Sequence, residues 1–276
     1  MPPTRILLLT TLTMIAFAGN SVLCRLALRE TAIDAASFTS IRLASGALVL
    51  GLLARFLRPG MKGDGNWLSA LALMAYAGCF SFAYLSLSAA TGALLLFGAV
   101  QATMIGYGIW RGERLQGQAL LGLVLALGGL VGLMLPGLSA PPLWGSLLML
   151  LAGIAWGVYS LRGKGAGDPV RVSAGNFLRA VPMALALSLL LLSRANPDPA
   201  GIGYAVASGA VASGLGYAIW YSVLPALKAT QAATIQLSVP VIAALGGIVF
   251  LGESLTLRLT LASIAILGGI ALVIRK

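Results

Sequence analysis

Ten apolar stretches, each close to 20 residues long, follow one another along almost the whole chain: about 6–25, 36–56, 67–88, 91–110, 116–135, 142–161, 172–193, 200–221, 230–251 and 256–274. A helix of about 20 apolar residues crosses the hydrocarbon layer of a bilayer, and it satisfies its own backbone hydrogen bonds while doing so. The chain therefore reads as an all-α integral membrane protein of ten transmembrane helices, with the lipid bilayer as its solvent. Only 58–66 (RPGMKGDGN) and 162–171 look like real polar loops.

Composition closes off the alternatives. Of 276 residues, 59% are hydrophobic and 9% charged, whereas soluble domains carry roughly 25% charged residues. The net charge of +11 comes from 18 Lys and Arg against 7 Asp and Glu. These basic residues are too few and too scattered for a nucleic-acid groove, and membrane topology accounts for them better. With the N-terminus in the cytoplasm, twelve fall inside, while Arg25, Arg29, Arg194 and Arg258 fall outside. Both termini are thus expected inside a bacterial inner membrane. There is no His, and Cys24 and Cys79 sit in apolar stretches, so no metal, cofactor or disulfide is expected. Arg5, the first apolar run and Ala16-Phe17-Ala18 imitate a secretory signal. The first stretch is nevertheless read as a retained span, because its loss would unbalance a matched set.

That set is an internal repeat. Gly112-Glu113-Arg114-Leu115 recurs as Gly252-Glu253-Ser254-Leu255, and Gly128-Gly129 recurs as Gly268-Gly269, each displaced by 140 residues. Arg42 answers Arg179, and Phe17 with Arg25 answers Trp156 with Lys164. The expected halves are 1–138 and 139–276, five spans each. Because five is odd, the second half crosses in the opposite sense, giving the inverted repeat that underlies alternating access.

On these residues the chain resembles the drug/metabolite transporter superfamily. The Gly-Glu-x-Leu turn between the fourth and fifth span of each half, and Trp156-Gly157 early in the second, resemble its EamA-type exporters. Length and spacing are most similar to bacterial exporters of aromatic amino acids. The first half departs from the pattern, with Phe17-Ala18 where Trp-Gly is common. The resemblance implies outward transport of a small-molecule substrate; a monomer is expected, and with no paired Asp or Asp-rich metal site inside the spans an enzyme is not.

The candidate site follows from polar and aromatic residues inside spans. An intramembrane ionisable group is costly and functional by default, and only Arg42 and Arg179 qualify. Each is suited either to receive a substrate carboxylate or phosphate, or to snorkel and tie helices together. Phe17, Asn20, Tyr84 and Gln101 from the first half join Trp156, Tyr159, Asn176, Trp220, Thr234 and Ser238 from the second as candidate substrate-binding residues. Trp67, Trp110 and Trp144, near span ends, fit an interfacial belt. No acid lies in a span centre; mid-span Asn20 stands where a cation exporter needs a carboxylate. Facilitated diffusion is therefore the simplest mechanism. Glu113 and Glu253 are expected to cap the helix that follows each of them. Gly122, Gly128, Gly129, Gly132, Gly268 and Gly269 are expected to let the fifth and tenth spans pack closely. Pro182, Pro225 and Pro240 are expected to kink spans of the second half.

The resulting expectation is export of aromatic or other apolar amino acids by alternating access. Antiport of phosphorylated sugars or nucleotides, which needs several convergent basic residues, and export of drugs or cations, which needs a buried acid, are the alternatives.

Overall fold

The computed structural model describes residues 2–57, 60, 62–112, 117–137, 140–163, 166–227 and 235–274. Among them there is no strand, and ten helices follow in chain order: α1 (Pro3–Glu30), α2 (Ala35–Leu57), α3 (Trp67–Tyr84), α4 (Ala89–Trp110), α5 (Gln118–Met134), α6 (Leu143–Gly163), α7 (Pro169–Leu190), α8 (Pro199–Ala226), α9 (Ser238–Leu251) and α10 (Leu257–Ile274). Eight are long and apolar enough to span; α5 and α9 are shorter apolar helices.

The few polar residues at the ends of the apolar runs set where the helices begin. The side chains of Asn66, Ser88, Asp168 and Asp198 each accept a backbone N–H in the first turn of α3, α4, α7 and α8. Asp34 does the same for α2 through Ala36 and Ser37. Four of these five caps are Asp or Asn, the residue types that compete best for free N–H groups at a helix start. Four of the seven acids, Asp34, Asp168, Asp198 and Glu253, accept backbone N–H groups at helix starts through their carboxylates.

Helices pair across the sequence midpoint. α2 packs along α7, α5 along α10, α3 along α6, and α1 along α8, while α4 lies between α6 and α9. In lipid, close backbone approach replaces the hydrophobic drive, and the α5–α10 contact shows how. Gly122 faces the carbonyl of Gly269 and Gly269 faces that of Gly122, with Gly129 against Ala265. Gly128, Gly132 and Gly268 face open space instead, so only half of the expected glycines make this contact.

α8 is not the uniform helix the sequence suggests. Ala207–Leu215 is wound as a π-helix between two α-helical segments, a widening that is frequent at functional sites. The stretch is Ala-Ser-Gly-Ala-Val-Ala-Ser-Gly-Leu, small enough to lie against α2. A Cβ on Gly209 would collide with the Arg42 carbonyl and the Ser45 hydroxyl. Pro182 lies inside α7, Pro225 in the closing 3-10 turn of α8, and Pro240 in the first turn of α9.

Candidate functional site

A cavity of about 540 Å³ opens in the middle of the bundle. Its walls come from α1, α3, α4, α6 and α8 together with the first turns of α7, and it continues to the end of the bundle marked by Gly163, Pro169 and Leu224. The lining is mainly apolar and aromatic with a few hydrogen-bonding groups, which is the composition of a small-molecule site.

Trp156 is the hub of the aromatic wall. Its ring lies 5.2 Å from Tyr159 in a stacked arrangement, 4.8 Å from Tyr76 and 5.3 Å from Tyr217. Phe17 meets Tyr217 and Trp220 edge-on at 5.8 and 6.2 Å. These residues come from α1, α3, α6 and α8, so both halves of the chain build one surface. Edge-to-face and offset rings present both faces and edges to a ligand.

Beneath this wall lies a polar cluster. Asn20 Nδ2 donates to Tyr76 Oη at 3.2 Å, and Ser208 Oγ, on the π-helical stretch, donates to Asn20 Oδ1 at 2.6 Å. Arg42 Nη2 donates to Tyr76 Oη at 2.9 Å. The Arg42 guanidinium is 4.8 Å from the Phe80 ring centroid and 5.1 Å from that of Tyr76, within cation–π range. Arg42 is only 2% exposed, and its Nε and Nη1 have no hydrogen-bond partner. It takes part in neither of the ion pairs found among the described residues, Arg25–Glu253 and Arg29–Glu30.

Of the residues expected at the site, Phe17, Asn20, Gln101, Trp156, Tyr159 and Trp220 line the cavity. Arg42 lies behind the lining, against Tyr76 and Phe80. The others are placed elsewhere. Tyr84 is fully buried beyond the cavity, edge-on to Phe80 at 4.8 Å, with its hydroxyl turned to the Ala89 carbonyl. Asn176 accepts the Asn66 N–H at 2.8 Å and donates to Tyr159 Oη at 3.4 Å, so it fixes a loop and a cavity side chain without reaching the cavity itself. Arg179 donates to the carbonyls of Asp64 and Gly175. Its role is to fasten the 62–66 loop to α7, and the expected equivalence with Arg42 does not extend to environment. Ser238 Oγ turns back to the Ile235 carbonyl. Thr234 lies outside the described residues, as does Glu113.

Sequence reasoning missed Tyr76, Phe80, Tyr217 and Tyr221, all of which line the cavity. Tyr76 and Phe80 are four residues apart on α3, and Tyr217 and Tyr221 four apart on α8, a helical spacing that was available to find them. Glu253 is also corrected. It accepts the N–H of Ala89 at the start of α4, in the other half of the chain, at 2.8 Å, while α10, the helix that follows it, is capped by Thr256.

Among the described residues, eight membrane-length helices, two shorter apolar helices and a cavity reaching one end of the bundle define a polytopic membrane protein with internal room for a small molecule. The comparisons agree. A sequence model of the EamA-like transporter family matches residues 143–275. An uncharacterised protein of Pseudomonas aeruginosa is 61% identical over 275 residues, covering 99% of this chain and 96% of the relative. The threonine/homoserine exporter RhtA of Salmonella typhimurium is 34% identical over 125 residues, 43% of this chain and 41% of that protein. A solved crystal structure, 19% identical, has the same fold, with a TM-score of 0.66 over 95% of this chain and 96% of that one. The second half of the chain, residues 143–275, thus carries an EamA-like transporter domain, and the chain is a multi-pass membrane transporter.

Proposed function

We propose that this transporter exports amino acids with aromatic or other apolar side chains across a bacterial inner membrane, by alternating access. The observation that carries the reading is the composition of the cavity: an aromatic wall shared by both halves, with the charge of Arg42 directly behind it. The rings receive an apolar side chain and hold the ammonium by cation–π contact. Arg42 supplies the positive potential that attracts the carboxylate. RhtA is named for threonine and homoserine; the aromatic lining here favours larger, apolar side chains.

No Lys, Arg, Asp or Glu is among the described residues of the lining, which supports an amino acid over a sugar phosphate, a nucleotide or a lipophilic cation. It also supports facilitated diffusion over coupling to protons through a central carboxylate. The pairing of α2 with α7 and α5 with α10, and the reciprocal pairing of α3 with α6 and α1 with α8, is what a pseudo-two-fold between 1–138 and 139–276 requires. Both termini lie in the cytoplasm on this reading, and the chain works as a monomer in the bilayer.

Uptake of labelled L-phenylalanine, L-tryptophan and L-threonine into proteoliposomes tests the proposal. Saturable flux with counterflow is expected for the aromatic pair. Flux no greater than in empty vesicles would sink the substrate assignment, and flux without saturation or counterflow would make the protein a channel.

A further inference from the structure

The Tyr76 hydroxyl is held so that only its proton is left to offer. A phenolic oxygen has two lone pairs and one hydrogen. Both acceptor positions are occupied, one by Arg42 Nη2 at 2.9 Å and the other by Asn20 Nδ2 at 3.2 Å. No hydrogen bond from the Tyr76 hydroxyl to any acceptor is found among the described residues. Asn20 is oriented by Ser208, which donates to its Oδ1 at 2.6 Å, so the second hydrogen on Nδ2 also lacks a partner. Tyr76 and Asn20 are each more than nine-tenths buried, and both line the cavity. Two unspent donors thus face the same space.

Arg42 reaches that space only through Tyr76. Its guanidinium is screened from the cavity by the Tyr76 and Phe80 rings, and it is itself outside the lining. A cation donating to a phenol oxygen polarises the O–H bond and strengthens it as a donor, the more so in a dry site. The buried charge has no carboxylate partner among the described residues, and a buried charge without one is costly. A ligand carboxylate on the cavity side of Tyr76 would supply the missing negative charge.

We infer that the Tyr76 hydroxyl and the free Nδ2 hydrogen of Asn20 form a carboxylate subsite, and that Arg42 is a positioning residue acting through Tyr76. This rests on the proposal that the cavity receives an amino acid, and names the groups that take its carboxylate.

The test is binding to the purified full chain in detergent, with three probes: L-phenylalanine, phenylacetate, which lacks the ammonium, and phenethylamine, which lacks the carboxylate. Tyr76→Phe keeps the ring and removes the donor. It is expected to weaken the first two probes by about tenfold or more, as loss of a hydrogen bond to a charged group does, and to change phenethylamine by less than twofold. In a double-mutant cycle, Arg42→Met is expected to add little to Tyr76→Phe, because both remove the same interaction. Should Arg42→Met fail to fold, Arg42→Lys takes its place, with the same lack of additivity expected.

Unchanged phenylalanine affinity in Tyr76→Phe overturns the subsite while leaving the cavity reading standing. Equal losses for all three probes overturn it too, since Tyr76 would then be wall and not donor. A further tenfold loss from the Arg42 substitution in the Tyr76→Phe background would put Arg42 in direct contact with ligand. If the wild-type chain binds none of the three, the amino-acid reading falls and the subsite falls with it.

Discussion

Arg25 Nε lies 3.3 Å from Glu253 Oε1, joining α1 to the turn between α9 and α10. The pair sits at the end of the bundle opposite the cavity mouth. Arg25 also donates to the carbonyls of Tyr84 and Leu85, and Glu253 accepts the Ala89 N–H, so the link fastens the α3–α4 turn as well. Both side chains line a second hollow of about 410 Å³, together with Arg29 and Ser88 among others.

Because three segments meet at this pair, Glu253→Gln and Arg25→Gln are each expected to lower the melting temperature of the solubilised protein. Contacting residues in one network show coupling of roughly 0.5–3 kcal/mol. The double variant is therefore expected to melt close to the worse of the two singles. Fully additive losses would show that the two side chains act separately.

The π-helical stretch of α8 places Ser208 on Asn20, and Gly209 is what lets the stretch come that close to α2. Gly209→Ala puts a methyl against the Arg42 carbonyl and the Ser45 hydroxyl. Overpacking of this kind costs about 1–3 kcal/mol, and the loss is expected in thermal unfolding. Gly203→Ala, on the same helix with nothing within 4 Å of the added carbon, is the control and is expected to be neutral or slightly stabilising. Equal effects from the two would remove the packing explanation.

The helices were largely legible in the sequence because span length and apolar content are local properties. Ten spans were expected and ten helices are found, with α9 beginning at Ser238 among the described residues where the apolar run begins at 230. The site was legible only in part. Phe17, Trp156 and Trp220 could be proposed from type and spacing. Tyr84 and Trp156 look alike in sequence; burial behind Phe80 separates them, and burial is a property of the packed bundle. The π winding of 207–215 was illegible for a related reason: its small residues suit any close helix contact and carry no signal for the wider turn.

Asp34 gives the loop between α1 and α2 a pH dependence. Partial burial acts to raise its carboxyl pKa, but hydrogen bonds from the Ser37 side chain and from the N–H groups of Ser37, Asn196 and Ala36 outweigh it. The net pKa is lowered below the usual carboxylate value. A depressed carboxylate stabilises the fold above its unfolded pKa, near 3.9, and that contribution is lost as pH falls through the lower folded value. Asp34→Asn is expected to melt at a lower temperature at neutral pH and to lose less on acidification. Parallel melting curves for variant and wild type from pH 7 to pH 3 would exclude this role.

Arg42 and Arg179 test whether equivalent positions in sequence carry equivalent roles. Arg42 is buried behind the cavity lining with two unpartnered nitrogens, whereas Arg179 spends its Nη1 on the carbonyls of Asp64 and Gly175. Removing Arg179 takes away one of the ties between the 62–66 loop and α7, the Asn66–Asn176 bond remaining, at a cost of about 0.5–1.5 kcal/mol. Arg179→Gln is therefore expected to lower thermal stability while leaving phenylalanine affinity within twofold. Arg42→Met is expected to reduce that affinity by about tenfold, the weight of a charge-assisted hydrogen bond. Equal losses of affinity in both variants would restore the symmetric pair of anchors that the sequence suggests, and would place Arg179 on the substrate's path.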